Sequence, residues 1–257
     1  MRIFLETLRF RNEPLFLFGM ICLLLACLLF VLSKVTDTEV MGVNAWYKPL
    51  KFCLSTTLFS WAMGWYVYYL GESTTVQVFN WVVIIGLGFE IMYIALQASR
   101  GQLSHFNVST PLYASMFSLM AFAAAVVTLF TAYIGLTFFL QDFSTLPDYY
   151  VWGIRLGILL FVIFSFQGFM MGANMGYTVG SQDGSIGLPL VNWSITHGDL
   201  RIAHFIGMHA LQVFPLLAFY LFKNVKLTFF FGALYGLLAL FVLIQALQEK
   251  PFYKSIL

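Results

Sequence analysis

Charge is what this sequence has least of. Aspartate, glutamate, lysine and arginine make up 9% of 257 residues, where a soluble domain carries roughly a quarter to keep its surface in water. Lipid must therefore cover much of the chain. The net charge is only +2 and no dense basic run exists, which excludes nucleic acid and strongly acidic partners. Cysteine is almost as scarce. Cys22, Cys27 and Cys53 lie in or beside apolar runs without a CxxC, so disulfide frameworks and zinc ribbons are excluded. No Walker, Rossmann or GxSxG motif occurs. The last apolar run has no lysine, which excludes a retinal Schiff base of the rhodopsin kind.

What the chain has in abundance is apolar residues: 61% are hydrophobic and the mean hydropathy is +0.87. A helix needs about 20 apolar residues to cross the hydrocarbon. Runs of that kind predict an all-α, polytopic bundle of seven transmembrane helices at about 15–33, 52–70, 78–97, 112–140, 149–172, 204–222 and 227–247, forming a single transmembrane domain over 1–257. The first run, "LFLFGMICLLLACLLFVLS", is 19 residues long. It exceeds the roughly 7 to 15 of a signal-peptide core, so it reads as a retained span. One connection is long, from Ala173 to Ala203, and its glycine-rich "NMGYTVGSQDGSIGLPL" predicts an ordered or re-entrant loop. No internal repeat is visible.

Tyrosine and tryptophan favour the headgroup level, where one end of the ring is wet. Tyr66, Tyr68, Tyr69, Trp81, Tyr149, Tyr150 and Trp152 mark one membrane face, and Trp46, Tyr47, Tyr113 and Trp193 the other. The N-terminal face holds only a tail and brief turns. The far face holds "NAWYKPLKF", "QASRGQLSHFN" and "GLPLVNWSITHGDLRIAH", with His105, His197, His204 and His209 in it or just beneath it. Its Lys and Arg residues (Lys34, Lys48, Lys51, Arg100, Arg201, Lys250, Lys254) outnumber Arg2, Arg9, Arg11, Lys223 and Lys226 on the N-terminal face. The count alone leans against a cytoplasmic N-terminus. The three arginines before the first span dominate, however, and place the N-terminus in the cytoplasm and the histidine face outside.

Glu90 lies deep in the third run, where a carboxylate facing lipid is costly, so it should face the bundle interior. Glu90, Tyr93, Gln97 and Arg100 fall on one helical stripe climbing toward the histidines. His204 and His209 are separated by about 140° and about 7.5 Å on a straight helix, unlike the i, i+4 pairs that share one metal. Pro215 frees the carbonyl of Leu211 and should kink the sixth run. Imidazole suits iron, copper and zinc, and Asp199 or Glu90 would orient a ligating ring. Haem b also needs cations for its propionates, which Arg100, Arg201, Lys48 and Lys51 would supply. His105 and His209 are the favoured ligands, with His204 the next metal candidate.

The blocks KPxKF, RGxxSHFN and GDLRxxHFxGMHALQ, between residues 44 and 212, resemble those of an uncharacterised family of bacterial multi-pass membrane proteins. The resemblance implies a bacterial inner-membrane protein in which His105, Asp199, Arg201, His204 and His209 belong to the family's motifs. The chain is also similar, more distantly, to seven-span hydrolases that include the alkaline ceramidases. Their zinc site of three histidines, an aspartate and a serine would fall here on Ser104, His105, Asp199, His204 and His209. The spacing departs from theirs: HxxxxH on the sixth run replaces HxxxH on the last.

Three functions follow as expectations. The first is binding of haem b or a transition metal in a redox or sensing role. The second is zinc-dependent hydrolysis of a membrane lipid, with Glu90 or Asp199 as the catalytic base. The third is proton-coupled transport of a small molecule through Glu90. The bilayer is the one partner common to all three.

Overall fold

The computed structural model describes residues 2–185, 187–189 and 191–253. Lys254, counted above among the far-face charges, and Ile186 and Leu190 of the glycine-rich loop lie outside the described residues. By its contacts the chain divides into two compact units, Met1–Leu140 and Gln141–Leu257.

The first unit opens with a helix where the sequence reading has only a tail: α1, Arg2–Arg11. Asn12 ends it and starts α2, Glu13–Val35, by accepting the Leu15 amide on its side chain, with Pro14 in the first helical turn. A two-residue hairpin follows, β1 (Glu39–Val40) on β2 (Val43–Asn44). Its corner residues Met41 and Gly42 have φ of 54° and 73°, the left-handed pair that a tight hairpin requires. Helix α3, Tyr47–Val67, starts five residues before the apolar run suggests, so Lys48 lies in its first turn and Lys51 at the start of its second. Helices α4 (Thr74–Ser99) and α5 (Pro111–Leu140) complete the unit.

Helix α3 runs back along the length of α2. Trp61 Nε1 donates to the Phe16 carbonyl at 3.3 Å and Thr57 Oγ1 to the Gly19 carbonyl at 3.1 Å. A Cβ on Gly19 would run into the Trp61 indole, and one on Gly64 would touch Asn12 and Leu15 at 3.4 Å. At the other end Trp46 Nε1 donates to Thr36 Oγ1 at 2.7 Å and Asn44 Nδ2 to the Thr36 carbonyl at 2.9 Å. Small and hydroxylic residues thus let the two backbones approach closely.

The second unit contains α6 (Asp148–Gln167), the short α7 (Phe169–Ala173), α8 (Leu200–Leu217) and α9 (Val225–Leu247). Helices α6 and α8 are in the closest contact. A Cβ on Gly157 would lie 2.9 Å from the Ala210 carbonyl oxygen, and one on Gly153 would lie 2.8 Å from Ala218 Cβ and 3.1 Å from Pro215 Cα. Gly153 and Gly157 form a GxxxG seam. Pro215 does not end α8, which continues through it into a π turn at Ala218–Phe222. The long loop is ordered by a two-stranded pairing, β3 (Thr178–Val179) with β4 (Gly198–Asp199).

Among the described residues six helical segments are long and apolar enough to cross a membrane: α2, α4, α5, α6 with α7, α8 with its π turn, and α9. The protein is all-α in its spans and is a multi-pass membrane protein. The expected count of seven is corrected to six by this measure. The segment expected at 52–70 is helical, but Thr56, Thr57 and Ser60, all buried, and its tryptophans and tyrosines lower its hydropathy.

Candidate functional site

The polar residues singled out by the sequence separate between the two units. Lys48, Lys51, Glu90, Arg100 and His105 belong to the first. Asp199, Arg201, His204 and His209 belong to the second.

In the first unit, α4 carries the expected stripe. Glu90, Tyr93 and Gln97 are 7%, 6% and 0% exposed, and Phe52, Phe89, Met116 and Phe117 pack around the Tyr93–Ile94–Met120 core beside them. Arg100 leaves the stripe: it caps the C-terminus of α4 and is exposed. The Gln97 amide is fixed by its Nε2, which donates to the Leu103 carbonyl at 3.1 Å. That bond leaves Gln97 Oε1 buried without a partner among the described residues, and Tyr93 Oη is in the same state. Among the described residues Glu90 is in none of the ion pairs Arg2–Glu6, Arg9–Glu13 and Arg201–Asp199. Lys48, at the start of α3, acts electrostatically on both Glu90 and His105.

His105 sits in the loop after α4, against the rings of Phe52, Phe106 and Phe117 at centroid distances of 5.8, 6.1 and 6.2 Å. Its Nδ1 meets Ser104 Oγ at 3.2 Å. Burial among these rings, and secondarily the Lys48 ammonium, push its pKa well below the ordinary value of 6.5. His105 is therefore a neutral imidazole at physiological pH.

In the second unit the GDLR block is occupied with its own folding. Asp199 Oδ1 accepts the Arg201 backbone N–H and Nε, both at 3.0 Å, and Oδ2 accepts the Ser194 N–H at 2.8 Å and Arg201 Nη2 at 2.6 Å. These four bonds fill the acceptor capacity of a carboxylate, leaving no lone pair for a metal or a reacting water. Arg201 also donates through Nη2 to the Asn192 carbonyl and lies over the Tyr177 ring at 4.7 Å. Together they cap α8 and close the loop onto it. His204 Nδ1 donates to the Phe164 carbonyl at 2.6 Å, and His209 Nδ1 meets Gln212 Oε1 at 3.3 Å. His209 also packs on Phe205 at 4.3 Å. His197 is held locally by Thr196 Oγ1 at 3.0 Å.

Among the described residues no three His, Cys, Asp or Glu side chains are grouped to hold a metal ion. His105, Asp199, His204 and His209 supply no such group of three, and Asp199 is saturated by Arg201 and Ser194.

Sequence reasoning did not find two features. Ser165 Oγ and Gln167 Oε1, at the end of α6, are buried without partners among the described residues; a serine and a glutamine near a glycine are too common to signal this. Arg11 is enclosed by Trp65, Tyr68 and Tyr69 at 3.8, 4.9 and 4.9 Å from their ring centroids. The sequence reading places Tyr68 and Tyr69 in an interfacial belt without Trp65, and the WxxYY spacing that makes the cage is visible only once Arg11 is seen against it. No protein family, curated protein or solved structure matches the chain.

Proposed function

We propose that this multi-pass membrane protein binds a small molecule along the inner stripe of α4 and moves it in a proton-coupled cycle through Glu90. One observation carries the reading: Glu90, Tyr93 and Gln97 are buried on one face of a spanning helix, with Tyr93 Oη and Gln97 Oε1 unpartnered. Each unsatisfied buried polar group costs about 1–3 kcal/mol, and in native proteins such groups are explained by a functional role or by a bound water or ion. Ionisable residues inside a membrane mark substrate and proton paths. The neutral His105 and the Lys48 charge stand at the upper end of the same stripe.

The reading includes seven crossings. Helix α3 is paired with α2 from Thr36 down to Asn12, so a span for α2 carries α3 across with it. An odd number of crossings puts the termini on opposite sides. The arginines of α1 favour a cytoplasmic N-terminus, and the resemblance of the sequence blocks favours a bacterial inner membrane.

The test uses the purified chain and a panel of small amines, carboxylates and neutral polar solutes. At least one should raise the melting temperature of the wild type and fail to do so in Glu90→Gln and Gln97→Leu. In liposomes with a trapped pH indicator, entry of that compound should carry protons in the wild type but not in Glu90→Gln. Identical profiles for wild type and Glu90→Gln across the panel would remove this function.

Haem b or a transition metal remains a second reading because of one detail in the second unit. The Nδ1 atoms of His204 and His209 are both engaged by oxygen acceptors, the arrangement that presents Nε2 to a metal. An absorption spectrum and metal analysis decide it: a Soret band or a stoichiometric metal lost in His209→Ala supports it, and a colourless, metal-free protein prepared with both cofactors supplied removes it.

A further inference from the structure

We infer that α1 is an interfacial helix whose free apolar edge, Ile3 and Phe10, is inserted in the lipid surface, and that this insertion does not require anionic lipid. The inference is independent of the reading of α4.

The ten residues of α1 present three different edges. Leu8 is fully buried, Phe4 stacks on Trp65 at 5.6 Å, and Arg11 fills the Trp65–Tyr68–Tyr69 cage; this edge is docked on the protein. Arg2 and Arg9 are seven residues apart, nearly one above the other at about 20°, and both are exposed. Ile3 and Phe10 are likewise seven apart, about 100° round from the arginines, and are 80% and 78% exposed. Both lie on one edge two turns apart, and Phe10 keeps only a tilted ring contact to Tyr68 at 6.1 Å, so most of the edge is uncovered by the chain.

Two observations set the depth of α1. Asn12 is the only residue between α1 and α2, and it is buried and donates to Asn80 Oδ1 at 3.1 Å, so α1 has no slack with which to leave the membrane surface. The cage that holds Arg11 is made of the tryptophan and tyrosines at the end of α3, residue types that settle at the headgroup level. A helix docked there, with a polar edge beside an apolar one, lies in the interface plane with its apolar edge among the upper acyl chains.

The charges decide which lipid. Arg2 is paired with Glu6 at 2.8 Å and Arg9 with Glu13 at 2.7 Å, each one turn along the helix. The two arginines on the outer edge are therefore compensated within the chain, and Arg11 is covered by rings. Little free positive charge is left to seek anionic headgroups, and the apolar edge carries the contact.

The experiment uses the full chain in lipid nanodiscs. Cys27 is exposed and would take a label, while Cys22 and Cys53 are buried, so a Cys27→Ala background with its own labelling blank suffices. Spin labels are placed at Ile3→Cys, Phe10→Cys and, for the opposite edge, Arg9→Cys. At Ile3 and Phe10 the label should lose accessibility to an aqueous nickel chelate and gain accessibility to oxygen relative to Arg9. The difference should be the same in purely zwitterionic and in mixed anionic nanodiscs. Equal nickel accessibility at Phe10 and Arg9 would overturn the insertion. A difference that appears only with anionic lipid would overturn the inference that the apolar edge carries it.

Discussion

His204 on α8 closes the end of α6: its Nδ1 donates to the carbonyl of Phe164 at 2.6 Å. That carbonyl belongs to the last turn of α6, whose oxygens have no amide ahead of them within the helix. The carbonyl acceptor also fixes the tautomer, with the proton on Nδ1 and the lone pair on Nε2. Gly168 sits against the same ring, since a Cβ there would lie 2.7 Å from His204 Cε1. The imidazole is thus a clasp between two helices before it is anything else.

Replacing His204 by alanine should therefore destabilise the protein by about 1–3 kcal/mol, the cost of leaving a buried carbonyl without its donor. The measurement is the melting temperature in detergent, with Gly168→Ala as a companion that crowds the same ring. If His204→Ala melts like the wild type, the clasp contributes nothing and the histidine must be explained by ligand binding alone.

The α6–α8 seam gives a second prediction. Gly157 approaches the backbone of Ala210 and Leu211 at 2.9 and 3.3 Å from its would-be Cβ, and backbone cannot turn aside as a side chain can. Gly157→Ala should cost about 1–3 kcal/mol through overpacking. Gly236→Ala should be mild, because its would-be Cβ meets only the tip of Leu160 at 3.3 Å. Equal effects in a thermal unfolding assay would show that the two helices can separate without penalty.

These contacts show where the sequence was readable. Long apolar runs announced all six helices that are long and apolar enough to cross, and also marked 52–70, which is helical but falls short of that measure. The 3.6-residue period placed Glu90, Tyr93 and Gln97 on one inward face because lipid leaves polar groups no other place. Helix α1 was missed since only ten residues, with charges at Arg2, Glu6, Arg9 and Arg11, resemble a solvated tail until the aromatic cage at the end of α3 is in place. The roles of Asp199 and Arg201 were equally hidden. Their mutual bonds are a local helix cap. The contacts that engage the rest of the pair, Asp199 with the Ser194 amide and Arg201 with the Asn192 carbonyl and the Tyr177 ring, need the loop brought back to the start of α8, which composition does not record. Arg100 drifted from its stripe because α4 ends at Ser99, one residue before it.

The proposed seven crossings, with α3 carried across beside α2, give a topology prediction. A reporter fused at the N-terminus should be cytoplasmic and one fused after Leu257 periplasmic. Both termini on one side would mean that α3 does not cross, despite its contacts along α2. Both reversed would leave the proposed seven crossings in place and invert only the orientation.

His105 should give the protein a particular response to acid. Its neutral form is favoured by burial among Phe52, Phe106 and Phe117, and next by the Lys48 ammonium. In the unfolded chain the imidazole takes up a proton as pH falls through 6.5, its ordinary value, while in the folded chain it does not until well below that. Stability rises with pH wherever the unfolded state binds more protons, so this contribution is fully present above 6.5 and declines as pH drops below it. His105→Gln removes the difference, and its melting temperature should fall less steeply on acidification than that of the wild type. By nuclear magnetic resonance of nitrogen-labelled histidine, the His105 ring should stay neutral through 6.5, and Lys48→Met should raise its titration only part of the way back, because burial is the larger cause. A His105 ring that titrates at its ordinary value would mean that water reaches it freely, and the enclosed upper end of the α4 stripe would be lost with it.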